Sequence, residues 1–285
     1  MPTTVLITGA TDGIGRALAL ALAARGMRVL LHGRNEAKLA AARQAVLDAS
    51  PAAEVHPLCA DFASLEDVAG LARQVARDYP TLNVLVNNAG LLTDHRQLSA
   101  DGFELTRAVN YLAPYLLTRQ LLPVLLQQAP ARIVNVASTA MGGGQLDFGN
   151  LELQTGFSGW QAYANSKLAN VLFSSALART LDPATVTCNA LCPGLVDTNF
   201  FHTNTVFANG GYERLRPGMR TPEEGALVPL YLAGDPAAAQ FHGEFFVRDG
   251  TYGRRPVPLG LDPGLADRLW HHTAAQLAPW LGAAG

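Results

Sequence analysis

Short apolar, β-branched runs alternate with longer stretches of helical periodicity along most of this chain, and that alternation limits the architectures open to it. The expected strands are Thr4–Thr8, Arg28–His32, Glu54–Leu58, Leu82–Asn87, Arg132–Ala137, Thr185–Leu191 and Glu244–Val247. Between them, Ile14–Arg25, Asn35–Ala49, Leu65–Tyr79, Gly102–Gln128 and Trp160–Leu181 carry apolar residues at three- and four-residue spacing. Strands that alternate with helices are joined by right-handed crossovers, which builds a parallel sheet covered on both faces. The expected fold is α/β, a doubly wound sheet of about seven parallel strands with helices on both sides. No linker rich in Pro, Ser or charge divides residues 1–285, and no repeat is present, so a single domain is expected.

Three segments interrupt the alternation. Residues 139–159 are glycine-rich, and residues 197–221 are irregular and contain Phe200, Phe201, Phe207 and Tyr212. The extension over about 250–285 carries Leu265, Leu269 and Trp270 at the spacing of a short amphipathic helix. Long excursions at strand ends of a doubly wound sheet tend to build the ligand pocket, so the first two are the expected substrate loops.

Hydrophobic residues make up 49% and charged residues 15% of the 285, with a formal net charge of −2, an ordinary globular composition. Nothing basic enough to favour nucleic acid or an anionic membrane stands out. Met1-Pro2-Thr3-Thr4 runs straight into the apolar Val5-Leu6-Ile7 without a cationic region, and no apolar run reaches a membrane span, so neither leader nor membrane anchor is expected and a cytoplasmic location is. Cys59, Cys188 and Cys192 cannot all pair, and they fit buried thiols of a reducing compartment. Cys188 and Cys192 lack companions for zinc, and adjacent His271 and His272 point apart on a helix, so no metal site is expected. No G-x-S-x-G elbow marks an acyl nucleophile.

The first strand ends in Thr8-Gly9-Ala10-Thr11-Asp12-Gly13-Ile14-Gly15 and passes at once into a helix. Glycines permit a sharp turn, and the free N–H groups of the following helix attract phosphate, so the turn marks a Rossmann-type dinucleotide site. Its spacing is G-x-x-x-G-x-G rather than G-x-G-x-x-G. The second strand ends in Gly33-Arg34, where NAD would want an acid for its ribose hydroxyls. Arg34 offers instead a guanidinium fork for the 2′-phosphate of NADP, with Arg16 as a second candidate, so NADPH is expected over NADH.

Tyr163 and Lys167 lie four residues apart on one helix face. A tyrosine titrates near ~10, and an ammonium beside it favours the phenolate, which suits the phenol to proton transfer. The pair is common on its own. It gains weight from its place downstream of the strand that ends at Ser138 and of the glycine turn.

In these residues the chain resembles the short-chain dehydrogenase/reductases over essentially its whole length. Thr8–Gly15, including Gly9, Thr11, Asp12, Gly13, Ile14 and Gly15, matches their cofactor turn, glycine spacing included. Asp61-Phe62 matches the acidic residue and its neighbour at the adenine, and Asn87-Asn88-Ala89-Gly90 the motif that steadies the sheet and lines the cofactor. Asn110, Ser138, Tyr163 and Lys167 match the catalytic tetrad, and Pro193-Gly194, Val196 and Thr198 the segment at the nicotinamide carboxamide. The resemblance implies hydride transfer between NADP(H) and a carbonyl or alcohol, oriented by Ser138, with Tyr163 as the acid or base. Lys167 would depress the tyrosine pKa and bind the nicotinamide ribose, and Asn110 would hold a water linking Lys167 to solvent.

The long interval from Ser138 to Tyr163, Gly159-Trp160-Gln161-Ala162-Tyr163, Ser166-Lys167-Leu168-Ala169-Asn170 and the tail Asp267-Arg268-Leu269-Trp270 look like the retinol dehydrogenase-like branch, with its bacterial ketoreductases. That branch implies an apolar small-molecule substrate and a chain that either forms a homo-oligomer through its long central helices or covers them with its tail. An NAD(H)-dependent alcohol dehydrogenase and a non-catalytic NADP(H)-sensing regulator are the alternatives.

Overall fold

The computed structural model describes residues 2–202, 210–247, 255–257 and 261–282. Among the described residues eight strands form one sheet: β1 (Thr4–Ile7), β2 (Arg28–Gly33), β3 (Val55–Cys59), β4 (Leu82–Asn87), β5 (Ala131–Val136), β6 (Val186–Cys192), β7 (Phe245–Val247) and β8 (Arg255–Val257). Their spatial order is β3-β2-β1-β4-β5-β6-β7-β8, parallel throughout except for the antiparallel last pair. Val5, Leu6, Ile7, Val29, Leu30, Leu31, Ile133 and Val134 are essentially inaccessible, because helices cover both faces and the strands read as apolar runs rather than alternating ones.

On one face lie α1 (Gly13–Ala23), α2 (Glu36–Ala49) and α9 (Pro222–Gly234). On the other lie α3 (Leu65–Asp78), α5 (Ala113–Gln127) and α6 (Gly159–Ala178). Local chemistry sets several starts: Asn35 accepts the Lys38 amide at 2.9 Å to cap α2, and Ser64 accepts that of Asp67 at 3.2 Å to cap α3. The expected single helix over Gly102–Gln128 is broken up. A short turn α4 (Leu105–Arg107) leads into a π-helical stretch, Ala108–Leu112, and only then into α5. Pro114 stands four residues after Asn110 and has no N–H to return to the Asn110 carbonyl, so regular α-helical pairing fails at that point. Two short helices, α7 (Asn199–His202) and α8 (Gly211–Leu215), lie within the irregular segment. Phe207 and parts of the expected C-terminal extension fall outside the described residues.

The tail forms α10 (Pro263–Gln276) and α11 (Ala278–Leu281), which lie over α6 and α5. Trp270 stacks on Phe173, with ring centroids 5.9 Å apart, and meets the edge of Tyr115 at 5.1 Å. Arg119 covers Trp270 at 4.9 Å. The Tyr111 hydroxyl and that of Thr273 are 2.7 Å apart, so the tail is fastened directly to the π-helical stretch. Among the described residues no helix is long and apolar enough to cross a membrane. Cys188 and Cys192 are buried, whereas Cys59 is exposed, contrary to expectation, because it points outward at the end of edge strand β3.

Arg107 joins three parts of this architecture. Its guanidinium pairs with Glu152 of the 139–159 excursion and donates at 2.6 Å to the Gln276 side chain of α10. The Arg107 and Glu152 side chains are only 8% and 18% exposed, so removal of one leaves the other charge poorly solvated. Arg107→Met is expected to destabilise the protein by about 3 kcal/mol, read as a lower midpoint in chemical denaturation.

Candidate active site

β1 lies between β2 and β4, so the chain winds away in both directions from one crevice at the carboxyl ends of the strands. A cavity of about 960 Å³ opens there, at the upper end for small-molecule sites. The expected cofactor residues other than Arg16 line it: Gly9, Thr11, Asp12, Gly13, Ile14 and Gly15 from the turn; Arg34 after β2; Asp61 and Phe62 after β3. Asn88, Ala89 and Gly90 follow β4, and Pro193, Gly194, Val196 and Thr198 follow β6. Ser138, Tyr163 and Lys167 line its other end, while Arg16 lies outside it.

The glycines answer to the protein's own packing. Gly9 has φ +65°, and a Cβ there would come within 2.8 Å of the Ala89 Cα. A Cβ on Gly15 would strike the Gly9 carbonyl at 2.2 Å, and one on Gly13 the Thr198 methyl at 2.7 Å. Asn88 ties the turn to β4, its side-chain amide donating to the Thr8 and Gly9 carbonyls at 2.9 and 3.1 Å. The first amides of α1 face the cavity without a side-chain cap, an arrangement that favours an anion. The Asp12 carboxylate accepts from Asn199 instead, which draws α7 across the turn.

Lys38 also lines the cavity, one helical turn after Arg34, and sequence reasoning missed it. The signal was present, since Asn35 caps α2 and thereby points the first turn, with Lys38, toward the Arg34 end. His32, the last buried residue of β2 before Gly33, is a second cavity residue that was missed.

At that end, α6 brings Tyr163 and Lys167 to one face, opposite Ser138 beyond β5. The Ser138 side chain hydrogen-bonds the Tyr163 hydroxyl and accepts the Ala140 amide at 3.1 Å. Lys167 donates to the Val136 carbonyl at 2.9 Å, with its ammonium 5.5 Å from the centre of the Tyr163 ring. Burial lowers Lys167 from 10.5 to about 8. The expectation that Lys167 depresses the tyrosine pKa is corrected: desolvation pushes the Tyr163 phenol above its ordinary value, against a smaller opposing effect of the Ser138 hydrogen bond. The lysine donates to a backbone carbonyl rather than to the phenol, and the phenol stays protonated at neutral pH.

Asn110 is fully buried and does not reach the cavity wall. Its amide exchanges 2.8 Å hydrogen bonds with the Leu91 amide and carbonyl and donates to Ser166 at 3.0 Å. A Cβ built on Gly90 would lie 3.4 Å from the Asn110 side-chain oxygen and 3.5 Å from the Lys167 nitrogen, so Gly90 is the spacer between them. Among the aromatics of the irregular segment, Phe200 and Phe201 face the cavity, with Phe200 5.1 Å from Tyr163 by ring centroids. Trp160 flanks Tyr163 at 5.9 Å. Tyr212 turns away, its hydroxyl on Asp197 at 3.0 Å.

A doubly wound sheet with a helix-capped glycine turn at one end of its crevice and a Ser–Tyr–Lys cluster at the other defines a dinucleotide-dependent oxidoreductase class. A sequence model of the family described as short chain dehydrogenase matches residues 3–207, and the chain belongs to that family. Retinol dehydrogenase 13 of Homo sapiens is 36% identical over 277 residues, which span 95% of this chain and 83% of the human one, and the chain is retinol dehydrogenase-like within the family. An uncharacterised protein from Mycobacterium paratuberculosis superposes with a TM-score of 0.75 at 30% identity, covering 96% of this chain and 94% of its own. Actinorhodin polyketide ketoreductase, solved with NADPH, superposes with a TM-score of 0.72 at 27% identity, covering 89% of this chain and 98% of its own. The chain is thus an oxidoreductase of the short-chain family.

Proposed function

We propose that this oxidoreductase uses NADP(H) to reduce a carbonyl group on an apolar small molecule, or to oxidise the corresponding alcohol. The observation that carries the proposal is the placing of Ser138, Tyr163 and Lys167 at one end of a single cavity whose other end presents Arg34 and Lys38. The uncapped start of α1 suits a pyrophosphate, Arg34 and Lys38 a ribose 2′-phosphate, and Phe62 and Asp61 the adenine side. Pro193, Gly194, Val196 and Thr198 would hold the carboxamide end. The bound NADPH supplies the hydride.

The chain's own residues supply orientation and the proton. Ser138 fixes the substrate oxygen against the Tyr163 hydroxyl, and Tyr163, a protonated phenol at neutral pH, donates to that oxygen as it gains electrons. Burial keeps the phenol in the protonated form that a donor needs. Lys167 is poised near neutrality, so it can replace the proton that Tyr163 gives up. The side chain of Asn110 is committed to Leu91 and Ser166, which leaves its backbone carbonyl, deprived of an α-helical partner by Pro114, as the atom to hold a relay water. Trp160, Phe200, Phe201, Leu195 and Leu215 exclude water and select an apolar substrate. The retinol dehydrogenase and ketoreductase names of the relatives agree with that class.

Cofactor choice is testable by substitution. The double variant Arg34→Ala, Lys38→Ala is expected to raise KM for NADPH by about a hundredfold while changing KM for NADH by less than about threefold, from loss of charge-assisted phosphate contacts. A wild-type enzyme that prefers NADH, or a variant with unaltered NADPH kinetics, would count against the assignment. A sensor without turnover would bind NADPH and leave a panel of apolar ketones and aldehydes unreduced.

A further inference from the structure

We propose that His32 is a positioning residue for the adenosine half of the cofactor, holding the glycine turn and one wall of the adenosine pocket in register through a neutral imidazole. The inference rests on the proposed NADP(H) site and goes beyond it, since it assigns a function to a residue that contacts the turn rather than the reacting atoms.

His32 lies at the end of β2, 3% exposed, and yet lines the cavity. Both ring nitrogens meet backbone groups of different strand ends. The Gly9 N–H points to Nδ1 at 3.3 Å, and Nε2 lies 3.1 Å from the Ala60 carbonyl. A backbone amide can only donate and a carbonyl can only accept, so the proton must sit on Nε2 and Nδ1 must be bare. An imidazolium would turn an N–H against the N–H of Gly9. Burial agrees, lowering the histidine to about 4 in spite of the Ala60 hydrogen bond and nearby Asp61. The His32 carbonyl also accepts the next amide of the turn, that of Ala10, at 2.8 Å. One residue therefore captures two successive amides of the turn, one by side chain and one by backbone.

The same ring stacks on Phe62, with centroids 4.2 Å apart and planes inclined by 21°. Phe62 follows β3 on the far side of β2, so the imidazole bridges the β1 turn to the β3 end. Ala89 also packs close to the turn, since a Cβ built on Gly9 would come within 2.8 Å of the Ala89 Cα. With the acceptor at His32 removed, the Gly9 amide is left unsatisfied next to the position of the pyrophosphate, and Phe62 loses its stacking partner.

The test compares His32→Asn with His32→Gln in the full chain. Asn places a carbonyl oxygen near the position of Nδ1 and keeps an acceptor for Gly9, whereas Gln places its amide near Nε2 and keeps only the link to Ala60. Dissociation constants are measured for NADPH by fluorescence and for adenosine 2′,5′-bisphosphate, which lacks the nicotinamide half, by calorimetry. The Gln variant is expected to bind both about tenfold more weakly, as for one buried donor left unpaired, and the Asn variant to bind within about threefold of wild type. At saturating NADPH both are expected to keep kcat within about twofold of wild type, since the reaction end is untouched. Equal binding by the Gln variant and wild type, or equal losses in both variants, would overturn the role of the Gly9 acceptor. Failure of the wild-type protein to bind either probe would instead overturn the NADP(H) reading itself.

Discussion

Tyr163→Phe is expected to lower kcat by about a thousandfold while leaving the NADPH dissociation constant within about twofold, the range for loss of a positioned general acid. The phenyl ring keeps the packing against Trp160 and Phe200, so the substrate wall survives and only the hydroxyl is lost. Ser138 loses its Tyr163 partner but still accepts the Ala140 amide, and the turn that presents it should hold. The wild-type phenol is protonated well beyond neutral pH, so its reductive kcat should not rise as pH climbs from neutrality. A decline is expected as Lys167 deprotonates around pH 8 and no longer replenishes the phenol.

The second large effect separates stability from activity at Lys167. Its amine is buried, 4% exposed, and its pKa falls from 10.5 in an unfolded chain to about 8 in the fold. Between those values the folded state binds fewer protons than the unfolded one, so this group's contribution to stability rises with pH across that window. Below about pH 8 the charge is held at full cost, on the order of 3 kcal/mol from the size of the shift. Lys167→Met fills the same space without charge. At pH 7 it should melt a few degrees higher than wild type, with the gap closing as pH rises toward 10.5. Its kcat should fall about a hundredfold or more, through loss of the proton source behind Tyr163. A variant that melts lower at pH 7, or that keeps its turnover, would contradict the cost and role assigned to the lysine.

The sheet was legible in the sequence because its strands are buried on both faces and read as unbroken apolar runs. The edge was not. β8 is a three-residue strand that pairs antiparallel with β7, and so short a segment has no periodicity to detect. α9 was also overlooked, although Thr221 and Glu224 form a capping box, because Val228, Tyr231 and Leu232 are buried alongside Gly225 and Pro229. A helix buried on several sides, with two prolines, lacks the polar face that marks helical spacing. Within Gly102–Gln128 the apolar pattern was read correctly as helical, but the π-helical stretch at Asn110 follows from one missing N–H at Pro114, which apolar periodicity does not sense.

The site divides along similar lines. Gly9, Ser138, Tyr163 and Lys167 sit at positions marked by strand ends and helix spacing, and the fold brings all four to one cavity. What escaped was environment. Nothing local in sequence reveals that burial raises the phenol against its Ser138 hydrogen bond, since the desolvating neighbours come from distant elements. His32 and Lys38 escaped for a related reason: one reads as a strand residue and the other as a solvated helix cation until β1, β2 and β3 are set side by side.

Hydride transfer through this cavity is tested most directly with NADPH that carries deuterium at the transferred position, incubated with apolar ketones and aldehydes. Products are analysed by mass spectrometry for wild type and Tyr163→Phe. Wild-type protein should deliver one deuterium to the carbinol carbon, and the variant should bind the same NADPH and deliver almost none. Binding of NADPH by wild type with no deuterium in any product, or equal transfer by the variant, would contradict the assignment of Tyr163 as the proton donor of an NADPH-dependent reductase.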